Sequence, residues 1–181
     1  MGVILDKYQD DLPEPENDDS KEVFSFFGLA SYWAQNLERS YQQLAVGLSL
    51  SKTESITKIE LDRLWLEFEK KTLGQLFILV KKTTSLPKPT EKISYDAQDR
   101  RNYLTHHFFW HHSKNISSPK GRKIMLKELT EMTNLFRNAD KAITKLFLNI
   151  LREYGITEND VQEEFVKFFE QVSDNEKNTH N

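Results

Sequence analysis

Apolar residues recur at alternating spacings of four and three along two long stretches of the chain, a pattern typical of amphipathic helices. An average spacing of about 3.5 residues keeps one face of each helix turned toward a neighbour, as in bundles with small crossing angles. The pattern predicts two long helices. Their core-facing residues are Val23, Phe27, Ala30, Ala34, Leu37, Tyr41, Leu44 and Leu48 in one, and Met125, Leu129, Met132, Phe136, Ala139, Ile143, Leu146 and Ile150 in the other.

Capping residues and prolines divide the chain between these two stretches. Ser51 or Thr57 is predicted to start a second helix, because each precedes a glutamate by three residues, the spacing of a capping box. The segment TSLPKPT, residues 84–90, ends that helix, since proline cannot continue a helix interior. A third helix is predicted from about Ser94 to His112.

The second long stripe belongs to a fourth helix, with Ser118 as N-cap, Pro119 at the first helical position and Gly155 as C-cap. A short fifth helix is predicted after Thr157, with its apolar residues in the range 161–172. No strand-period alternation persists anywhere. We therefore predict an all-α fold, an antiparallel helical bundle of about five helices.

The ends of the chain differ in character from this bundle. Residues 1–20 are acidic and polar with two prolines and bury too little to offset chain entropy, so they are predicted to form a disordered tail. The bundle domain would span residues 21–173, followed by a flexible tail at 174–181. The chain has no cysteine, which excludes a disulfide framework and thiolate chemistry. No membrane span or signal peptide is expected, and a cytoplasmic location fits.

Charge is distributed unevenly along the chain. The net charge is −3, which argues mildly against a nucleic-acid binder. However, none of the 28 acidic residues lies between Arg100 and Lys127. A local positive field attracts phosphate more effectively than the total charge suggests, although a solvated charged face would look the same. We expect RNA phosphate contacts from Arg100, His107, Lys114, Lys120, Arg122 and Lys123.

The segment RRNYLTHHFFWHH, residues 100–112, holds four of the five histidines among large apolar rings. On a helical wheel its apolar bulk points nearly all round, so the segment is predicted to lie in the core or against a second chain. We expect a homodimer that meets through this region. The roles of His111 and His112 stay open.

Arg101 and His106 are the residues in this segment best suited to phosphodiester chemistry. A histidine takes or gives a proton near neutral pH, and an arginine stabilises charge on phosphorus oxygens. Cleavage by the 2′-hydroxyl of RNA needs both functions. Because five residues separate the two side chains by about 140° on a helix, a symmetric pair of chains is the arrangement expected to complete the site.

The motif Arg101-Asn102-Tyr103-Leu104-Thr105-His106 resembles the R-x(4–6)-H motif of HEPN domains. These are all-helical and commonly dimeric, and many are ribonucleases that need no metal or other cofactor, in toxin–antitoxin, phage-defence and RNA-processing systems. The resemblance implies that Arg101 and His106 are catalytic, that Asn102 is a polar support, and that an antitoxin or regulatory protein is a further partner. One toxin class of this family carries, two residues after the histidine, a tyrosine that its antitoxin modifies. This chain has Phe108 there, so that form of control is not expected at this position.

Two other interpretations compete with a ribonuclease. His107 and His111 lie four residues apart, suitable for a metal pair, but the segment supplies no further ligand, so no metal is expected. The bundle could instead be a non-catalytic module that binds a partner protein or a nucleotide through the same positive surface.

Overall fold

The computed structural model describes residues 11–51, 57–157 and 159–160. Within these ranges the chain is helical and contains no strand, so the predicted all-α bundle is confirmed. The elements are α1 (Ser20–Leu50), α2 (Lys58–Glu69), α3 (Leu73–Thr83), α4 (Lys88–His106), α5 (Phe108–His111), a 3₁₀ turn (Asn115–Ser117) and α6 (Pro119–Glu153).

The centre of the bundle is the long contact between α1 and α6. Both predicted stripes face it: Leu37 and Tyr41 on α1 and Leu129 and Phe136 on α6 are almost fully buried. Polar contacts fix the register between the two helices, since the buried Ser40 hydroxyl donates to the Asp140 carboxylate. Residue numbers rise together in the contacts between the two segments: Asp18 contacts Arg122, and Gly47 lies beside Phe147. Helices α1 and α6 therefore run parallel.

Helix α4 runs antiparallel to both long helices. Its first half meets the middle of α1, where the Tyr41 hydroxyl donates to Ser94, and its second half approaches the start of α6 through Arg100 and Glu128. Burial raises the pKa of Tyr41 well above its ordinary value, while the Ser94 hydrogen bond opposes this. The antiparallel prediction thus holds for α1 with α4 and for α4 with α6.

The prediction of one helix between Thr57 and residue 84 was wrong, because the chain turns at residues 70–72. Thr72 forms a capping box of its own: its backbone N–H donates to the Gln75 side chain at 2.9 Å, and its hydroxyl accepts from the Gln75 N–H at 3.4 Å. Of the two proposed starts, Thr57 is the N-cap of α2 and pairs with Glu60.

The third predicted helix also has different limits. It begins at Lys88 rather than near Ser94, because Pro87 precedes it and a second proline lies in its first turn, where no backbone N–H is needed. It ends at His106 rather than His112. His107, with φ −130° and ψ −19°, separates α4 from the single turn of α5.

Both ends of α6 match the prediction. The Ser118 hydroxyl accepts from the Gly121 N–H at 3.1 Å. Gly155, with φ 73°, adopts the left-handed conformation, and the N–H of Ile156 returns to the Leu151 carbonyl at 3.0 Å, as in a Schellman motif. The Thr157 hydroxyl accepts from the Asp160 N–H at 3.2 Å, but the rest of the predicted fifth helix and the tail at 174–181 lie outside the described residues.

Residues 11–19, which we call the acidic arm, lie without helical structure beside the start of α6. They belong to the segment predicted as a disordered tail, of which residues 1–10 lie outside the described part. No helix in the described ranges has the length and apolar character to cross a membrane.

Candidate functional site

Arg101 occupies a core-facing position of α4. It shares a side of the helix with Ser94, Ala97 and Leu104, which are buried and lie at helical spacings from it. Its guanidinium forms an ion pair with Glu38 of α1, with 3.3 Å between Nη2 and Oε2, and the two side chains are 28% and 26% exposed. Partial burial restricts the movement of the guanidinium, because a charge partly withdrawn from water must stay close to its partner.

Asn102 lies next to Arg101 on the exposed side of α4. Its side-chain oxygen accepts a long hydrogen bond, 3.5 Å, from Nη1 of Arg101. The polar residue after the arginine therefore contacts the same guanidinium as Glu38, although more weakly.

His106 is the last residue of α4, and its side chain is exposed. It makes no hydrogen bond or ion pair with any residue of the described ranges, and its ring centroid lies 6.2 Å from that of His107. Because α4 is unbroken from Arg101 to His106, the two side chains leave the helix about 140° apart. One chain alone does not bring this pair together.

The aromatic patch consists of the contacting rings of Phe24, Phe27 and Phe109, together with the exposed ring of Trp110, which follows Phe109 in the chain. Phe109 packs on Phe27 at 4.8 Å and on Phe24 at 5.5 Å between ring centroids. Phe24 is 58% exposed and Trp110 is 79% exposed. Within α5 only Phe108 is buried. The exposed rings agree with the expectation that this segment has more apolar bulk than one bundle covers.

His112 has a role that the sequence left open. It is buried, and its Nε2 lies 2.7 Å from Oε2 of Glu128 on α6, while its Nδ1 lies 2.8 Å from the Asn115 amide nitrogen. With Asn115 donating to Nδ1, Nε2–H donates to the carboxylate. Both ring nitrogens are therefore occupied, and His112 joins the α5 region to α6 as a structural residue.

Glu128 also connects α4 to this network. Its Oε1 accepts from Arg100 at 3.3 Å, and Arg100 lies over the Tyr103 ring, 5.7 Å from its centroid. Burial, and then the negative charge of Glu128, raise the pKa of Tyr103. Arg100, predicted to contact RNA phosphate, thus already has a carboxylate partner, although its side chain is still 51% exposed.

Gly121 allows the chain to pass close to the start of α6. A Cβ built on it would lie 2.2 Å from the carbonyl oxygen of Asn115, closer than any side chain tolerates. Glycine at this position therefore lets the 3₁₀ turn sit against α6, which places Asn115 beside His112.

The other predicted RNA contacts fall into two groups. Lys114, Lys120 and His107 are exposed, and the His107 ring stacks on His111 at 5.9 Å. Arg122 is half-buried and donates to the carbonyls of Asp18 and Ile116. Lys123 lies 3.8 Å from the Asp18 carboxylate, so the acidic arm contacts both members of this second group.

The structure offers little for a metal ion at His107 and His111. Among the residues of the described ranges, no three histidine or acidic side chains cluster as a metal-binding group. Glu67 of α2 pairs with Lys71 at 3.2 Å on the exposed side of that helix.

Sequence reasoning missed Glu38, Asn115 and Glu128. Glu128 lies one residue beyond the acid-free window, and Asn115 lies three residues after His112, but nothing in the pattern marks either as a partner of that ring. Comparison of the chain with protein-family models, curated proteins and solved structures finds no match.

Proposed function

We propose that this protein is a metal-independent endoribonuclease of the HEPN type that acts as a homodimer, with Arg101 and His106 as catalytic residues. The observation that carries the proposal is the contrast between these two side chains. Arg101 is held by Glu38 at the edge of the core, while His106 projects into solvent at the end of the same helix. The arginine is oriented, and the histidine is accessible to a substrate.

In this mechanism His106 removes the proton from the 2′-hydroxyl of RNA, which then attacks the adjacent phosphorus. Arg101 donates to the phosphorus oxygens, where negative charge develops in the transition state. Glu38 and Asn102 position the guanidinium through its two terminal nitrogens, Nη2 and Nη1. The leaving 5′-oxygen takes a proton from water, and His106 returns the proton that it accepted to the solvent.

The helix geometry supports a role for a second chain. Since Arg101 and His106 diverge within one α4, a twofold axis near the end of this helix is the arrangement that brings an arginine and a histidine to one phosphate. The exposed rings of Phe24, Phe109 and Trp110 provide apolar area for such an interface.

The substrate side of the proposal depends on the basic residues around α5. Lys114, Lys120 and His107 are exposed, and the sequence has no acidic residue between them. Cations attract the phosphate backbone of RNA. A toxin or defence effector working in the cytoplasm, controlled by an antitoxin or regulatory protein, is the biological role we propose.

The test is RNA cleavage by His106→Ala, with His111→Ala as the matched control. Both histidines are exposed and lie in the same short segment, but only His106 has a catalytic role in the proposal. Loss of a general acid–base group is expected to reduce cleavage by about 10²- to 10⁴-fold, whereas the control should keep nearly full activity. Arg101→Ala should be equally impaired, and Arg101→Lys should recover little because it lacks the bidentate guanidinium.

A non-catalytic binding module is the second candidate function. The observation that favours it is the Arg101–Glu38 ion pair, which satisfies the guanidinium without any substrate. If His106→Ala and Arg101→Ala melt like the wild type and cleave RNA at the wild-type rate, the catalytic assignment is wrong and the module is the better description.

A further inference from the structure

The acidic arm is fastened to the positively charged start of α6. The Arg122 guanidinium donates through Nε to the Asp18 carbonyl and through Nη1 to the Ile116 carbonyl, the latter at 3.0 Å. Lys123 lies 3.8 Å from the Asp18 carboxylate. The two contacts with Asp18 join residues more than 100 positions apart in sequence, with Arg122 and Asp18 separated by 104.

Local hydrogen bonds and an apolar contact shape the arm. The Glu22 carboxylate accepts from the Glu16 N–H at 3.1 Å, and the Asn17 side chain accepts from the Asp19 N–H at 3.1 Å. Leu12 is half-buried against the core. The arm therefore has a defined course past α6, although few of its residues are buried.

An open groove of about 750 Å³ separates the arm from α6. Glu14, Glu16 and Asp18 contribute to one wall, and Lys123, Lys127, Thr130 and Glu131 contribute to the other. The Asp18 carboxylate lies beside Lys123, while Lys127 pairs with Glu131 of its own helix at 3.9 Å. The two lysine side chains are 73% and 79% exposed, so both are open to a ligand that enters the groove.

We propose that the acidic arm is an autoinhibitory strap, which lies across the groove from Lys123 and Lys127 and competes with RNA for them. The inference rests on the proposed function for the identity of the polyanion. Exposed ion pairs are individually weak, so the arm is displaced when a ligand offers several phosphates at once. RNA binding then gains from the release of counterions along the strand, and the arm lowers affinity in proportion to the charge it carries.

The experiment measures binding and not cleavage. The probe is a fluorescent 2′-O-methyl oligouridylate, which lacks the attacking hydroxyl, titrated with the full chain and followed by anisotropy at low and at moderate salt. The test variant is Glu14→Gln/Glu16→Gln/Asp18→Asn, which leaves Asp19, the N-cap of α1, intact. The matched control is Asp62→Asn/Glu67→Gln/Glu69→Gln on the exposed side of α2, which changes the net charge by the same amount.

If the arm is a strap, the arm variant should bind the probe about tenfold more tightly than the wild type at low salt. The α2 control should gain less than about threefold in affinity. Adding Lys123→Gln/Lys127→Gln to the arm variant should remove the gain. Equal changes in the arm variant and the α2 control would overturn the strap, because net charge alone would then explain them. No gain in the arm variant would overturn it as well.

These outcomes are separate from those of the cleavage test. Tighter binding by the arm variant, with no cleavage of unmodified RNA, would leave the strap standing and refute the nuclease. Cleavage that depends on His106, with equal binding by the arm variant and the α2 control, would do the reverse.

Discussion

Arg101 of α4 and Glu38 of α1 form an ion pair at 3.3 Å, on a side of α4 otherwise occupied by buried residues. The pair connects two helices that meet only through tertiary packing. It holds the proposed catalytic arginine in one orientation, and this restriction has a measurable consequence.

Glu38→Gln should lower kcat for RNA cleavage by about 10- to 100-fold with little change in KM, because the arginine remains but is no longer held in the productive position. Glu69→Gln, an exposed acid on α2, is the control and should behave like the wild type. Thermal melting of both variants is needed to exclude a loss of folded protein. Unchanged kcat in a folded Glu38→Gln would show that the ion pair has no positioning role.

A site shared between two chains predicts complementation. Arg101→Ala and His106→Ala chains, each inactive alone, should recover cleavage when mixed and allowed to exchange subunits, up to about a quarter of the wild-type rate. The mixed dimer contains an intact arginine from one chain and an intact histidine from the other. No recovery, with exchange verified by sedimentation or by tagged chains, would contradict a composite site.

The aromatic patch should control assembly. Trp110→Ala removes the most exposed ring of the patch and should shift the protein from dimer to monomer in sedimentation at micromolar concentration, with cleavage falling in parallel. Tyr154→Ala, which removes an exposed ring at the far end of α6, is the control and should leave the dimer intact. A wild-type monomer that cleaves RNA at full rate would refute the dimer.

Cleavage through the 2′-hydroxyl predicts a specific product. RNA fragments should end in a 2′,3′-cyclic phosphate, detected by mass spectrometry, and a chelator should leave the rate unchanged. An activity that a chelator abolishes and a divalent ion restores would instead assign His107 and His111 to a metal site.

His112 is expected to affect stability more than chemistry. His112→Ala leaves Glu128 and Asn115 without their ring partner and should lower the free energy of unfolding by about 1–3 kcal/mol, measured by urea denaturation. His111→Ala, an exposed neighbour, should change it little. Equal stability of the two variants would show that the Glu128–His112–Asn115 network contributes nothing to the fold.

Features that depend on neighbours three or four residues away could be predicted from the sequence. The stripes of α1 and α6 were readable because helix periodicity decides which residues share a face. The Ser118 and Thr157 caps and the Gly155 turn were readable for the same reason, since each contact joins residues a few positions apart. The Thr72 capping box was equally local, but the apolar run through α2 and α3 concealed the turn.

The pairing of side chains from different helices follows from tertiary packing and could not be predicted from the sequence. Glu38 lies 63 residues from Arg101, and Asp18 lies 104 from Arg122, so their contacts follow from the rotation and register of whole helices. The end of α4 at His106 was also hidden, because the sequence pattern continues through residue 112. Many side chains of the same charge are chemically able to pair with one arginine. The packing of α1 against α4 and α6 selects one of them, because it alone sets which helix faces meet.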